Sequence, residues 1–457
     1  MRMEAIKSRG LAHTSYYLSD RGEAAVVDPR RDIQDYVTLA AEDCAEIRYV
    51  FETHLNEDFV VGSLELERAA GAEVCHSGET RFGYGDHDIE DGDSFMVGRL
   101  RVDCLHTPGH TVDSVCYAVH ESPRSGPFMV FTGDTLFVSD VGRTDLPGLD
   151  LWKEMSGMLH DSLHGKLLPL GDSVLVYPSH TAGSICGSHI GDRDVTTIGH
   201  ERRTTPQLSL DREEFIQERL GNHMLRPPYF RRMEEWNLKG PPLLKDAPVP
   251  RLLRPDSFEE KMREPDTVVV DTRQSDAFAG SHIPGSISIW LGYMTYFPGW
   301  VLGYDQRLLL VNERKEDAST ALRYLHRIGF DDIVGYLCPG IGAWRNMGKP
   351  IDTLASLSVD EFREVTEKGG VTVLDVREDG EWDGGHVEGA MHVYVGHIRD
   401  RLQEVPRDRP VAAVCASGRR SSIAASILKA EGYDVSNVQG GMNAWKSKGF
   451  PVSIPSS

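Results

Sequence analysis

The same segment occurs twice in the last third of this 457-residue chain, so that third must fold as two like units in series. From Val268 it reads VVVDTRQSDAFAGSHIPGSISI, and from Val371 it reads VTVLDVREDGEWDGGHVEGAMHV. Each copy is a β-branched run ending in Asp-x-Arg (Asp271 and Arg273; Asp375 and Arg377), then a Gly-x-His turn at His282 or His386. Each continues through a helical run, a Gly-Phe or Gly-Tyr break, a short strand and a Gly-x-x-Ala-Trp segment ending at Trp344 or Trp445. Strands alternating with helices at this spacing predict small parallel sheets covered by helices. Units of ~100 residues assign 251–352 to the first copy and 353–457 to the second.

Ahead of the repeats, residues 1–200 show many short strands broken by Gly and Pro. Charged Arg/Glu segments follow, and the prolines between Pro241 and Pro255 read as a linker, which makes 1–250 a first domain with its connection. Lys and Arg total 49 against 70 Asp and Glu, a formal net charge of -21, which argues against nucleic acid or an anionic membrane as partner. No apolar run reaches the ~18 residues of a membrane span, and MRMEAIKSRGLAHTS lacks the apolar core of a secretion signal. The seven cysteines lack paired spacing, as expected of free thiols in a reducing compartment, so a cytoplasmic location is expected.

Three predicted strand ends carry the chemistry. RYVFETHLNEDFVVG runs into a polar turn at His54, RVDCLHTPGHT into one at His106 and His110, and FMVFTGDTLF ends at Asp134. Taken singly, each histidine reads as an ordinary core or turn residue and Asp134 as a turn cap. Taken together, imidazoles and a carboxylate at strand ends suit a metal, because a sheet holds ligands rigidly while loops leave one face open.

The order Thr-His-x-x-x-Asp, Thr-Pro-Gly-His-Thr (Thr107 to Thr111) and Thr-Gly-Asp (Thr132 to Asp134) resembles the metallo-β-lactamase superfamily over nearly all of residues 11–200. That resemblance implies an αββα sandwich. The first motif departs from the family pattern: Asn56 stands where its second His belongs and Phe59 where its third belongs. A binuclear zinc site is therefore not expected. The motif positions left are His54, His110 and Asp134, two imidazoles and one carboxylate, the ligand set of non-haem Fe(II) oxygenases. The single-iron persulfide dioxygenases are similar in using those three positions, and in the continuation VSDVGRTDLPG and YPSHTAGSICGS. The resemblance implies one Fe(II) per chain, with zinc as the alternative in the isolated protein. Asp58 is expected to hydrogen-bond a ligand imidazole and fix its tautomer. His106 is expected to pack or support the site, and His180 to support it or face substrate. Arg143 is a candidate substrate contact, with an internal ion pair to Asp145 or Asp140 as the alternative. Cys186 is a candidate sulfur acceptor beside the metal, with a buried inert thiol as the alternative.

The stretch VAAVCASGRRSSIAASILKAEGY is a hydrophobic strand, a tight polar loop and a helix, with Cys415 at the strand end. Backbone N–H groups of the loop, the helix N-terminus and Arg419 or Arg420 would together stabilise an anionic sulfur. From Asp375 through His386 and this loop to Trp445, the residues resemble a rhodanese. A phosphatase-type loop needs Cys and Arg separated by five residues, yet position 421 is Ser421, so the loop fits sulfur rather than phosphate. The first copy has Asn312, Glu313 and Arg314 where such a loop would begin, and Cys338 lies later, in GYLCPG, so no sulfur transfer is expected there.

These readings predict a metallo-β-lactamase-fold domain followed by an inactive and an active rhodanese-like domain. The expected activity is oxidation of a low-molecular-weight persulfide by O2 to sulfite, coupled through Cys415 to sulfite or thiosulfate; fusions of this kind often self-associate, so a homo-oligomer is expected. The alternatives are a thioester hydrolase like glyoxalase II fused to rhodanese units, which needs a hydroxide held between two metals, and a sulfur-binding scaffold without metal.

Overall fold

The computed structural model describes residues 1–122, 125–187, 189–222 and 224–454. The chain divides into two compact units, one comprising 1–246 together with 326–329, the other the remainder.

The first unit is built on two six-stranded sheets. The first sheet takes its strands in chain order, Arg2–Ser8, His13–Asp20, Glu23–Val27, Glu46–Phe51, Glu73–Ser77 and His87–Ile89. Its first three strands are antiparallel neighbours and the rest run parallel. The second sheet is ordered Thr196–Thr197, Leu175–Pro178, Pro127–Gly133, Val115–His120, Leu100–His106, Ser94–Val97. Alternation along each strand sends one set of side chains inward. Tyr16, Leu18, Val27 and Phe51 from the first sheet meet Val102, Tyr117, Met129 and Phe131 from the second in one core. The opposite faces are covered as well. Tyr17, Val26 and Val50 pack beneath the helices Gln34–Glu42 and Ser63–Ala70, and Ala118, Val130 and Val176 beneath the helix Trp152–Ser162 and its neighbours. This is the αββα sandwich expected from the motifs.

In the second unit, both copies of the repeat form five-stranded, all-parallel sheets of identical strand order. The sequence identities explain why. Arg273 clamps Asp271 through Nε and Nη2 at 2.8 and 2.6 Å, and Arg377 clamps Asp375 at 2.9 and 2.6 Å. Both pairs are buried, where a carboxylate needs a bidentate partner to offset lost hydration. The Trp344 and Trp445 indoles donate to the carbonyls of Pro350 and Pro451 at 2.7 and 2.8 Å. Register makes Asn312 the counterpart of Cys415: each follows the strand residue (Val311 or Val414) paired with the clamped aspartate.

Among the described residues no helix is long and apolar enough to cross a membrane.

Candidate functional site

The ends of three strands, one from the first sheet and two from the second, converge in the first unit. His54 follows the strand Glu46–Phe51, His110 lies in the turn after Leu100–His106, and Asp134 follows Pro127–Gly133. Gly133 permits the approach: its φ is 51°, and a Cβ there would lie 2.6 Å from Thr53 Oγ1. His54, Glu57, His110 and Asp134 each offer a ligand atom within 4.8 Å of the others, and all four are buried. Sequence reading placed His54, His110 and Asp134 here, and the structure brings the three together. It missed Glu57, although a charged residue three positions after His54 in an otherwise buried stretch was a usable signal.

The imidazoles are oriented by their far nitrogens. His110 Nδ1 donates to the Arg143 carbonyl at 2.9 Å. His54 Nδ1 lies 2.8 Å from Thr53 Oγ1, whose own hydroxyl donates to Asp28 at 2.7 Å. Both hydrogens therefore sit on Nδ1, and each Nε2 presents a lone pair to the centre. Neither Nε2 makes a hydrogen bond, though both are buried. Buried polar atoms are rarely left so, and two bare imidazole nitrogens beside carboxylates fit a cation. Burial pushes the His110 imidazole down, but the Glu57 and Asp134 carboxylates pull it up to about 9. Burial raises the Asp134 carboxyl, and the His180, His54 and His110 imidazoles together outweigh it, holding the group well below the usual carboxylate range. The site stabilises positive charge, and its four buried donor groups could hold a metal ion. Thr53→Val removes the relay from His54 to Asp28, and metal affinity is expected to fall ~10- to 100-fold, as read by chelator competition.

The surrounding residues fall differently from expectation. Asp58 does not touch a ligand imidazole. Its Oδ2 meets His180 Nε2 at 3.0 Å, and His180 Nδ1 meets Asp134 Oδ1 at 2.8 Å, so Asp58 reaches the Asp134 carboxylate through His180. Arg143 is not free to contact substrate: all its donors are used, on Asp145 at 2.7 and 2.8 Å and on the Ile185, Leu225 and Met224 carbonyls. The internal ion pair is the reading that holds. His106 is spent on the Val112 carbonyl at 2.9 Å. Asn56 donates to the His54 carbonyl at 3.1 Å, and Phe59 packs against His13 with ring centroids 4.1 Å apart, so neither side chain offers the imidazole its position carries in the family pattern. Cys186 is buried with Sγ 3.7 Å from Glu57 Oε1, and burial pushes its thiol well up. Sequence reading also missed Asn237, on the helix Phe230–Lys239. Its amide donates to the Asn56 and Phe59 carbonyls at 2.6 and 2.7 Å and accepts from the Val61 amide at 3.1 Å, clamping the loop that carries His54 and Glu57.

The second chemical feature lies in the other unit. Cys415 ends the strand Val411–Val414, 1 % exposed, and the helix Arg419–Ala430 starts four residues on. Its Sγ accepts from the Gly418 amide at 3.1 Å and from the Ser421 hydroxyl at 3.3 Å. Loop amides and a helix N-terminus around one sulfur favour an anionic sulfur. The two arginines differ. Arg420 is held bidentately by Glu381 at 2.6 and 2.7 Å and lies close enough to Cys415 to feel its charge. The Arg419 guanidinium lies over Trp290 of the first copy, 4.3 Å from the ring centroid. It also borders a cavity of about 180 Å³ with Ser417, Gly418, Gln274 and Asp276. The first copy thus forms part of the wall beside the second copy's loop. Its own counterpart position, Asn312, accepts from Thr272 at 2.8 Å and carries no nucleophile. Trp290→Ala removes a cation–π contact of ~0.5–2 kcal/mol; the expected result is a several-fold rise in KM for thiosulfate with kcat little changed.

Comparison with known proteins agrees with this layout. The metallo-beta-lactamase superfamily model matches residues 8–180, and the rhodanese-like domain model matches 254–347 and 358–448. The mitochondrial persulfide dioxygenase ETHE1 of Bos taurus is 31 % identical over 211 residues, covering 44 % of this chain and 74 % of the relative. The human protein of that name is 31 % identical over 223 residues, covering 47 % and 78 %. The hydroxyacylglutathione hydrolase GloC of Haemophilus influenzae is 28 % identical, covering 42 % and 89 %. Among solved structures, a metallo-beta-lactamase from Staphylococcus aureus superposes with a TM-score of 0.66 at 28 % identity, covering 74 % of this chain and 98 % of that one. The chain belongs to the persulfide dioxygenase family of the metallo-β-lactamase superfamily, with two rhodanese-like domains following that domain.

Proposed function

We propose that the first unit oxidises the terminal sulfur of a low-molecular-weight thiol persulfide, and that Cys415 links the sulfite so formed to thiosulfate. In balance, a persulfide R-S-SH, O2 and water give R-SH, sulfite and two protons. At Cys415, the thiolate takes the sulfane sulfur of thiosulfate, breaking its S–S bond and releasing sulfite; run in reverse, the cysteine persulfide and sulfite give thiosulfate.

One observation supports the first half: two buried imidazole nitrogens without hydrogen-bond partners lie at a cluster with the Asp134 carboxylate, while Asn56 and Phe59 stand where the family pattern has its second and third histidines. One ferrous ion held by His54, His110 and Asp134 would supply a place for sulfur and O2 side by side. The chain's own residues do the rest. Thr53, Asp28 and the Arg143 carbonyl hold both imidazoles in the ligating tautomer. The Asp58–His180 pair orients the Asp134 carboxylate. A cavity of about 180 Å³, bordered by Leu55, Glu57, Thr111, Asp113, Leu146 and Glu234, lies beside the centre at Glu57 and is large enough for a small substrate. Cys186, buried beside Glu57, fits an inert thiol as well as a sulfur acceptor.

The GloC-type relatives make thioester hydrolysis the competing reading, and it requires a hydroxide held between two metals. Metal analysis with an oxygen electrode separates the two. One iron per chain, O2 uptake with glutathione persulfide and an equal yield of sulfite are expected. Two zinc ions per chain with cleavage of a hydroxyacylglutathione thioester would overturn the proposal.

A further inference from the structure

The centre holds one carboxylate more than its three motif residues provide. Glu57 is 1 % exposed, with Oε1 3.1 Å from His110 Nε2 and Oε2 3.7 Å from His54 Nε2. Its Oε2 has no hydrogen-bond partner, nor has either imidazole Nε2. With both ring hydrogens placed on Nδ1 by the Arg143 carbonyl and the Thr53 relay, lone pairs on nitrogen face lone pairs on oxygen. That arrangement repels unless positive charge, a proton on Nε2 or a metal ion, lies among the four groups; a metal ion satisfies all four at once. Glu57 also borders a cavity of about 180 Å³ that neither histidine lines, so of the four groups it is the one that meets that space.

We infer that Glu57 is a fourth, displaceable ligand to the metal, which an incoming anionic sulfur exchanges for itself. The inference rests on the metal reading proposed above. Its consequence is electrostatic. Two neutral imidazoles and the Asp134 carboxylate leave a divalent ion with one net positive charge, whereas adding Glu57 makes the centre neutral. A neutral resting centre has little pull on stray anions. A persulfide anion that replaces the Glu57 carboxylate keeps the charge balanced, and the freed carboxylate is then the nearest group able to take a proton. A strong soft donor such as persulfide sulfur can displace a carboxylate from iron, whereas weak hard anions compete poorly. Glu57 thereby selects for thiolate-type ligands without contacting the rest of the substrate.

The experiment loads the full-length protein with cobalt(II) alone and records the visible spectrum, the affinity by chelator competition, and the affinity for azide. Glu57→Gln is expected to alter the cobalt spectrum, weaken cobalt by at least ~10-fold and tighten azide by a comparable factor. Glu57→Asp keeps the charge but is one methylene shorter, and it should share the loss of metal affinity. Circular dichroism and melting of the metal-free variants check that both fold. Wild-type spectra and affinities in Glu57→Gln would overturn the assignment. So would a Glu57→Asp protein indistinguishable from wild type, since charge alone would then suffice. Oxygen uptake with persulfide is measured separately. Uptake by a wild type whose cobalt spectrum ignores Glu57 removes the fourth ligand but leaves the dioxygenase reading standing. A shifted spectrum without any uptake does the opposite.

Discussion

His110→Ala is expected to abolish O2 consumption with persulfide and to strip the metal, while leaving sulfur transfer from thiosulfate to cyanide intact. His110 is the most tightly held of the candidate ligands. It is buried, held through Nδ1 by the Arg143 carbonyl, and its Nε2 lies 3.1 Å from Glu57 and 3.5 Å from Asp134. Losing a residue that merely orients a ligand costs ~10- to 100-fold in metal affinity, so losing the ligand itself should exceed ~10²-fold. Alanine also leaves the Glu57 and Asp134 carboxylates buried with one fewer positive or metal-bound partner. Metal content and O2 uptake report the loss, and thiosulfate–cyanide transfer serves as the folding control. If transfer fell with uptake in a folded protein, two independent sites would be the wrong description.

Cys415→Ser should give the mirror image. The hydroxyl is a far poorer nucleophile and cannot form a persulfide, so sulfur transfer should fall on the order of 10³-fold or more. Metal content and persulfide-dependent O2 uptake should be unchanged. The substitution is close to isosteric, and a serine oxygen can still accept from the Gly418 amide and the Ser421 hydroxyl that now meet Sγ. A variant that transfers sulfur at the wild-type rate would move the activity to another thiol. Cys338 and Asn312 make the first copy a poor candidate, because Cys338 lies outside the loop and Asn312 occupies the position equivalent to Cys415.

The parts of this protein that were legible in its amino-acid order are those decided over short stretches of chain. The Asp-x-Arg clamps, the Gly-x-His turns and the Trp segments repeat because each is a local device, and two copies of the devices mean two copies of the sheet. His54, His110 and Asp134 announced themselves in the same way, each at the end of a predicted strand beside a turn residue. Their convergence follows once the two sheets pack, because Glu46–Phe51 ends in one sheet and Leu100–His106 and Pro127–Gly133 end in the other. The loop at Cys415 was also readable, because its length and the helix that follows it are contiguous in sequence.

What contiguous residues could not decide is which polar group takes which partner. Arg143 had a plausible role at the metal from its place in GRTDL, but only the fold brings the Met224, Leu225 and Ile185 carbonyls onto its guanidinium and uses every donor. Asp58 was assigned to a ligand imidazole, yet the residue it reaches is His180, 122 positions away. Asn237 and Glu57 drew no notice. One lies in a charged helix with no motif, and the other in a motif position usually ignored. The amino-acid order thus determined the kind and number of the folding units and the donors that meet at a strand end, since hydrophobic period and turn chemistry act over a few residues. Tertiary structure alone decided the charge of the centre and the partner of each buried polar group. Burial makes each such group find a partner across tens or hundreds of residues, and which partner it finds depends on how the layers pack.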